Sequence, residues 1–279
     1  MNVKLKLFSY NLVDTPIHRL SGFTKLLCFL FLTFGVMFSY DIRVILGVMV
    51  FSIVILIISR IKFSQIRLMV IYVLIFLITN AVISFFFSPG QGSSIYGTQH
   101  VFGVLFGHIK LTWEQLFYQV TKFFKYASVI PLGMIFLLTT NPSEFASSLN
   151  GVGVNYKAAF AVALTLRYFP DVQMDYHDIS LAQQARGLDM SSKARVFDRL
   201  KNALMIIIPL IFSSLDRIEL ISNAMDLRGF AKGKTRTWYT SKKLAHLDYI
   251  AILVSLLILI LTVCVSVFIN HSRFYNPFI

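Results

Sequence analysis

The sequence predicts an all-α membrane protein with about five transmembrane helices and a domain of cytoplasmic helices between the fourth and fifth spans. The first observation behind this prediction is composition, because 56% of the 279 residues are apolar and only 14% are charged. Soluble domains carry about 25% charged residues. The second is length, because the apolar residues lie in segments of about 20, which an α-helix needs to cross a hydrocarbon core about 30 Å thick. A soluble enzyme is therefore excluded.

Five segments meet or approach the length of a membrane span. They are about 20–40, 44–59, 68–87, 115–140 and 249–271.

The region before the fourth span has two local signals. Thr112 precedes Gln115 with the spacing of a capping box, so its hydroxyl is expected to accept a hydrogen bond from the Gln115 backbone N–H at a helix start. Residues 88–98 are rich in Gly, Ser and Pro and are expected to form a loop without a regular element. A re-entrant loop at 95–109 is left open.

The basic residues predict the orientation in the membrane. The net charge is +13, and the Lys and Arg residues lie between the apolar segments. With the N-terminus in the cytoplasm, 21 of the 26 fall on cytoplasmic segments and five outside. Cytoplasmic loops of membrane proteins carry such an excess of Lys and Arg. We therefore predict a multi-pass protein of the bacterial or archaeal cell membrane with the N-terminus cytoplasmic and the C-terminus outside. Its basic charge then faces the lipid bilayer and not nucleic acid.

This orientation divides the chain into three regions. Residues 1–140 form an N-terminal transmembrane region, 141–243 a cytoplasmic helical domain, and 244–279 a C-terminal transmembrane helix with an external tail. The apolar stretches of the middle region are shorter than a span, so they suit buried or interfacial helices.

The cytoplasmic region contains an internal repeat. Residues 179–188 align without gaps on residues 221–230, with Ile, Ser, Ala, Arg and Gly identical. A proline stands upstream of each copy and a glycine is its second-last residue, and proline favours helix starts as glycine favours helix ends. The pattern predicts two helices, about 170–186 and about 209–228.

An arginine lies at the predicted end of each helix, at Arg186 and Arg228. Arg-Gly is an ordinary helix ending, because the guanidinium complements the negative end of the helix dipole. Two matched copies in one cytoplasmic domain indicate instead a pair of helix ends that each present an arginine, which we call the arginine tips. Their planar donor groups suit carboxylates and helix-end carbonyls of a partner.

The sequence resembles the transmembrane T component of energy-coupling factor (ECF) transporters, the family that includes the CbiQ proteins. The resemblance rests on five motifs: Thr139–Glu144, Leu166–Pro170, Ala185–Gly187, Ala224–Phe230 and Arg236–Thr237. In that family two Ala-Arg-Gly motifs end the coupling helices and dock into two ATPase subunits. The resemblance therefore implies a docking role for Ala185, Arg186, Gly187, Leu227, Arg228 and Gly229. Leu227 departs from the alanine of the family pattern.

The resemblance also implies the function. Such a subunit is not an enzyme and holds no cofactor or metal; it transmits movement from two ECF ATPase subunits to one small, membrane-embedded, substrate-binding S component. The transported solute is then a vitamin, a vitamin precursor or a metal ion. Two alternatives remain open from the residues alone, a self-contained secondary transporter and a membrane-anchored adaptor.

One segment suggests a contact surface for the S component. It places aromatic, small and apolar residues at helical spacing: Tyr156, Ala159, Phe160, Ala163 and Leu164. Small residues let membrane helices approach closely. Internal packing explains the same pattern equally well.

Other candidate sites have simpler explanations. Residues 229–235 lack the spacing of a phosphate-binding P-loop. His100 and His108 have no third metal ligand nearby in the sequence. Three acidic residues share one helical face and are expected to be solvated or to pair with Arg167 and Arg195: Asp171, Asp175 and Asp178.

Overall fold

The computed structural model describes residues 15–61, 63–105, 109–188, 196–230, 232–233, 238, 242, 244–270 and 272–278. These residues are mostly helical and form two compact units. Unit 1 takes in the described residues before Pro142 and from Lys242 onward, and unit 2 takes in those between.

Unit 1 contains the membrane-spanning helices. Its helices are α1 (Pro16–Arg19), α2 (Gly22–Phe38), α3 (Ile42–Ile58), α4 (Phe63–Phe87), α5 (Gln91–Tyr96), α6 (Trp113–Thr139) and α10 (His246–Cys264), which continues as a π-helical turn over Val265–Ile269. Helices α4, α6 and α10 are long and apolar enough to cross a membrane. Helices α2 and α3 are apolar and have 17 residues each, the short end of the range for a span. The predicted all-α membrane fold is confirmed.

The expectation that residues 88–98 contain no regular element is wrong, because α5 lies within them. The contacts of Gly92 show why this helix contains a glycine. Its N–H donates to Gln115 Oε1 at 2.7 Å, and a Cβ at this position would come within 2.6 Å of the Gln115 backbone. The glycine serves close packing of α5 on the start of α6, and not backbone flexibility.

A short β-hairpin leads from α5 into α6. Strand β1 (Val101–Leu105) pairs antiparallel with β2 (Ile109–Thr112). The described residues of 95–109, the segment left open as a re-entrant loop, therefore contain the end of α5, strand β1 and the first residue of β2. Thr112 then caps α6 by accepting from the Gln115 N–H at 3.3 Å, which confirms the predicted helix-start contact.

Two lysines join α2 and α6 in a reciprocal way. Lys25 near the start of α2 donates from Nζ to the Thr139 carbonyl at the end of α6, at 2.7 Å. Lys125 of α6 donates to the Met37 carbonyl near the end of α2, also at 2.7 Å. The two helices therefore run antiparallel, and each satisfies a carbonyl that the other leaves free at its C-terminal end.

Unit 2 consists of α7 (Pro142–Gly151), α8 (Tyr156–Ala185) and α9 (Val196–Leu227). The predicted helix starts at Pro170 and Pro209 are wrong, because both prolines lie inside their helices. An interior proline costs about 3 kcal/mol and removes one main-chain hydrogen bond. In helices of 30 and 32 residues, the turns on both sides of the proline keep their own bonds, so the helix continues through it.

Candidate functional site

Helix α8 ends where the repeat predicts. Arg186 is the C-terminal cap of α8, and Gly187 follows with φ of 91°. The Leu188 N–H donates to the Gln183 carbonyl at 3.1 Å and the Gly187 N–H donates to the Gln184 carbonyl at 3.0 Å. This pair of bonds is a Schellman motif, in which glycine adopts the left-handed conformation and satisfies the final carbonyls.

Helix α9 ends in the same motif. Gly229 follows Arg228 with φ of 66°. The Phe230 N–H donates to the Met225 carbonyl and the Gly229 N–H donates to the Asp226 carbonyl, both at 2.9 Å. The two arginines therefore hold the same place in two helix endings of the same construction, and the predicted endings are confirmed.

The side chains at both tips are exposed. Arg186 and Arg228 are exposed together with Ala185, and Leu227 is 90% exposed. Within the part of the chain that the structure describes, neither guanidinium forms an ion pair. The structure thus places all six predicted docking residues at two accessible helix ends, where an arginine complements the local helix dipole.

An ion pair joins the two helices upstream of their tips. Arg217 Nη2 of α9 donates to Asp175 Oδ2 of α8 at 2.6 Å, and Arg217 Nη1 lies 3.9 Å from Asp171 Oδ2. Asp178 is exposed, in agreement with the expectation of a solvated face. For Asp171 and Asp175 the expected pairing with Arg167 is wrong, because both face Arg217. Arg195, the other expected partner, lies outside the described residues.

The segment predicted to contact an S component lies at the start of α8. Tyr156 and Ala159 are buried, while Phe160, Ala163 and Leu164 are half-buried. Tyr156 and Phe160 belong to an aromatic cluster within unit 2, which we define as Tyr156, Phe160, Phe230 and Trp238. Internal packing therefore occupies the first residues of this segment, and Ala163 and Leu164 retain partly accessible surfaces.

Sequence reasoning missed this aromatic cluster. One sequence feature pointed to it: the first copy of the repeat ends in the aliphatic Leu188, whereas the second ends in the aromatic Phe230. Trp238 was a second signal, being one of two tryptophans in the chain.

The described residues contain no group of three His, Cys, Asp or Glu side chains that could hold a metal ion. His100 lies 2.6 Å from Glu114, measured from Nδ1 to Oε1, so its neighbour is a carboxylate at the start of α6. His108 and residues 234–237 of the quoted motifs lie outside the described residues.

Comparisons with known proteins match most of the chain. The family model described as "Cobalt transport protein" (CbiQ) matches residues 14–239. Three relatives carry the name energy-coupling factor transporter transmembrane protein EcfT. The protein of Clostridium kluyveri is 24% identical over 91% of this chain and 92% of its own length. That of Streptococcus equi is 26% identical over 94% and 97%, and that of Lactococcus lactis is 26% identical over 90% and 93%.

Proposed function

Because the chain belongs to the CbiQ family and is a membrane component of an energy-coupling factor transporter, we propose that it couples ATP hydrolysis on two partner ATPase subunits to movement of a substrate-binding S component. The observation that carries this proposal is the pair of exposed arginines at two helix ends of the same construction. Unit 2 is the proposed coupling domain, and it faces the cytoplasm in this proposal.

Each arginine tip would dock into a groove of one ATPase subunit. A guanidinium presents five N–H donors in a planar fork, which matches carboxylates and helix-end carbonyls. Such charge-assisted bonds are short and about twice as strong as neutral ones. The chain supplies docking and transmission, and the ATPase subunits supply nucleotide binding and hydrolysis.

The Asp175–Arg217 ion pair supports joint action of the two tips. It links α8 and α9 by side chains, so a displacement of one tip reaches the other helix through this contact. The half-buried side chains of Ala163 and Leu164 are the proposed contact surface for the S component. The S component chooses the solute, which is a vitamin, a vitamin precursor or a metal ion.

The double variant Arg186→Ala/Arg228→Ala tests the docking role. Truncating one partner of a buried charged pair costs about 2–5 kcal/mol, or tens- to thousands-fold in affinity. We expect each single variant to weaken ATPase association, and the double variant to abolish transport and release the ATPase subunits. Lysine should rescue poorly, because it retains the charge without the planar fork.

Arg167→Ala is the matched control, since Arg167 is an exposed arginine of α8 away from its tip. Normal uptake with intact ATPase binding in the double variant would overturn the proposal. Co-purification adds an independent test: a chain that takes up solute without an ATPase pair would be a secondary transporter, and one that binds partners without uptake would be an adaptor.

A further inference from the structure

The residue after the second arginine tip packs against the opposite end of the neighbouring helix. The ring centroid of Phe230 lies 4.7 Å from that of Phe160 and 5.7 Å from that of Tyr156. Tyr156 and Phe160 lie in the first two turns of α8. The end of α9 is therefore attached to the beginning of α8 by ring contacts.

Trp238 completes this attachment. Its ring centroid lies 5.8 Å from that of Tyr156 and 6.4 Å from that of Phe160. Its Nε1 donates to Asn150 Oδ1 at 3.1 Å, and Asn150 Nδ2 donates to the Val154 carbonyl at 2.9 Å in the turn between α7 and α8. An indole is held best when its apolar ring and its N–H both find partners, and both do in the half-buried Trp238.

Phe230 takes part in two structures at once. Its backbone N–H closes the helix end at the Met225 carbonyl, and its side chain lies in the aromatic cluster. Arg228 is only two residues away, so little free chain separates its Cα from an anchored ring. The matching residue of the first tip is Leu188, which has no ring with which to make such contacts.

We propose that the aromatic cluster positions the second arginine tip, and that Phe230 is the positioning residue that orients Arg228 toward its ATPase subunit. This inference rests on the proposed docking role of the tips. Within the described residues the two tips are equal in backbone construction, and ring contacts anchor the second tip alone; residues 189–195, which follow the first tip, lie outside the described part of the chain. Because a tip that is ordered before binding loses less conformational freedom on binding, the anchor raises the affinity of this tip for its partner.

The test compares Phe230→Ala with Leu188→Ala, the matched change at the first tip, in the full-length chain. Spin labels at positions 157 and 226, both exposed, report the distance between the start of α8 and the second tip, in a background with Cys28 and Cys264 replaced by serine. We expect Phe230→Ala to broaden this distance distribution and Leu188→Ala to leave it unchanged.

A Trp113→Phe background makes Trp238 the single tryptophan, and its emission should shift to the red in Phe230→Ala.

The affinity of unlabelled protein for the purified ATPase pair should fall about tenfold in Phe230→Ala. Phe230→Tyr should restore both the affinity and the narrow distance distribution. Phe230→Leu places at the second tip the residue type found at the first, with little loss of apolar volume. This variant tests the positioning role if Phe230→Ala fails to fold.

Unchanged distances and unchanged ATPase affinity in Phe230→Leu and Phe230→Ala would overturn the positioning role. Equal losses in Leu188→Ala and Phe230→Ala would overturn the proposed inequality of the tips. Failure of the unmodified chain to bind the ATPase pair would instead overturn the proposed function, and the distance and fluorescence measurements would still show whether the cluster holds the tip.

Discussion

Asp175 and Arg217 each lie four residues before a copy of the repeat, and their side chains meet at 2.6 Å across α8 and α9. They are 42 residues apart, the same separation as Arg186 and Arg228. Each lies eleven residues before its own arginine tip, or about 16 Å along a helix. The contact therefore lies at matching positions of α8 and α9, and the same length of helix separates it from each arginine tip.

Breaking this ion pair should impair coupling more than folding. Both side chains are about a third exposed, so Arg217→Ala should lower the free energy of unfolding by at most about 1 kcal/mol. The number of solute molecules transported per ATP hydrolysed should fall by more than this small loss of stability explains, because α8 and α9 lose the contact that links them. The charge reversal Asp175→Arg/Arg217→Asp should restore the ratio.

Asp178→Ala serves as the control for this experiment, because Asp178 is exposed on the same helix and does not contact Arg217. A transport ratio that falls equally in Arg217→Ala and Asp178→Ala would contradict the coupling role of the pair.

The glycines of the two tips should resist replacement. Gly187→Ala and Gly229→Ala force alanine into left-handed backbone, at a cost of about 1–2 kcal/mol each. A Cβ on Gly187 meets open space, so the cost there is conformational alone. Asparagine tolerates this conformation better than alanine, and Gly187→Asn should lose less stability in thermal unfolding. Equal stability of the unmodified, alanine and asparagine forms would show that the tip is not held in this turn.

Cysteine labelling should establish the orientation in the membrane. In a background without Cys28 and Cys264, Ser94→Cys and Ser272→Cys should react with an impermeant reagent applied outside intact cells, whereas Ser222→Cys should react only after lysis. All three serines are exposed, so access to the reagent depends on the side of the membrane. The reverse labelling pattern would place the arginine tips outside the cell and end the docking proposal.

Acid should weaken the contact around Asp41, which lies between α2 and α3. The Asp41 carboxylate accepts from Arg43 Nη2 at 2.7 Å and from Asn270 Nδ2 at 2.9 Å. Burial raises the pKa of this carboxyl, but the hydrogen bonds from Arg43 and Asn270 outweigh burial and leave the pKa below its ordinary value. A carboxyl whose pKa is lower in the folded state stabilises the protein above its unfolded pKa of about 3.9, and this contribution is lost as the pH falls through the folded pKa.

Asp41→Asn should therefore lower the stability near neutral pH by about 1–3 kcal/mol, because it weakens bonds to a buried acceptor. Thermal unfolding from pH 7 down to pH 3 should show that the variant loses less stability on acidification than the unmodified protein. Asp216→Asn, an exposed aspartate, should match the unmodified protein at every pH. Parallel pH curves for Asp41→Asn and the unmodified protein would contradict this assignment.

The helix endings could be predicted from sequence because their signals are local. Arg-Gly places a cation and a left-handed turn within two residues, and the structure has both features at Gly187 and Gly229. The Asp175–Arg217 contact depends on how two helices pack, which no spacing within one helix reveals. The helix start predicted at Pro170 was wrong because the local preference of proline for a first turn was outweighed by the hydrogen-bonded turns on both sides of it.

The reciprocal lysine bonds between α2 and α6 have a mechanical consequence. Sliding α2 along α6 would pull Lys25 from Thr139 and Lys125 from Met37 at the same moment. Each displacement would break a hydrogen bond between an ammonium group and a helix-end carbonyl, and losing such a bond in an apolar surrounding is costly. Sliding of α2 along α6 is therefore opposed near both ends of α2. We expect the two helices to move together, as one rigid pair.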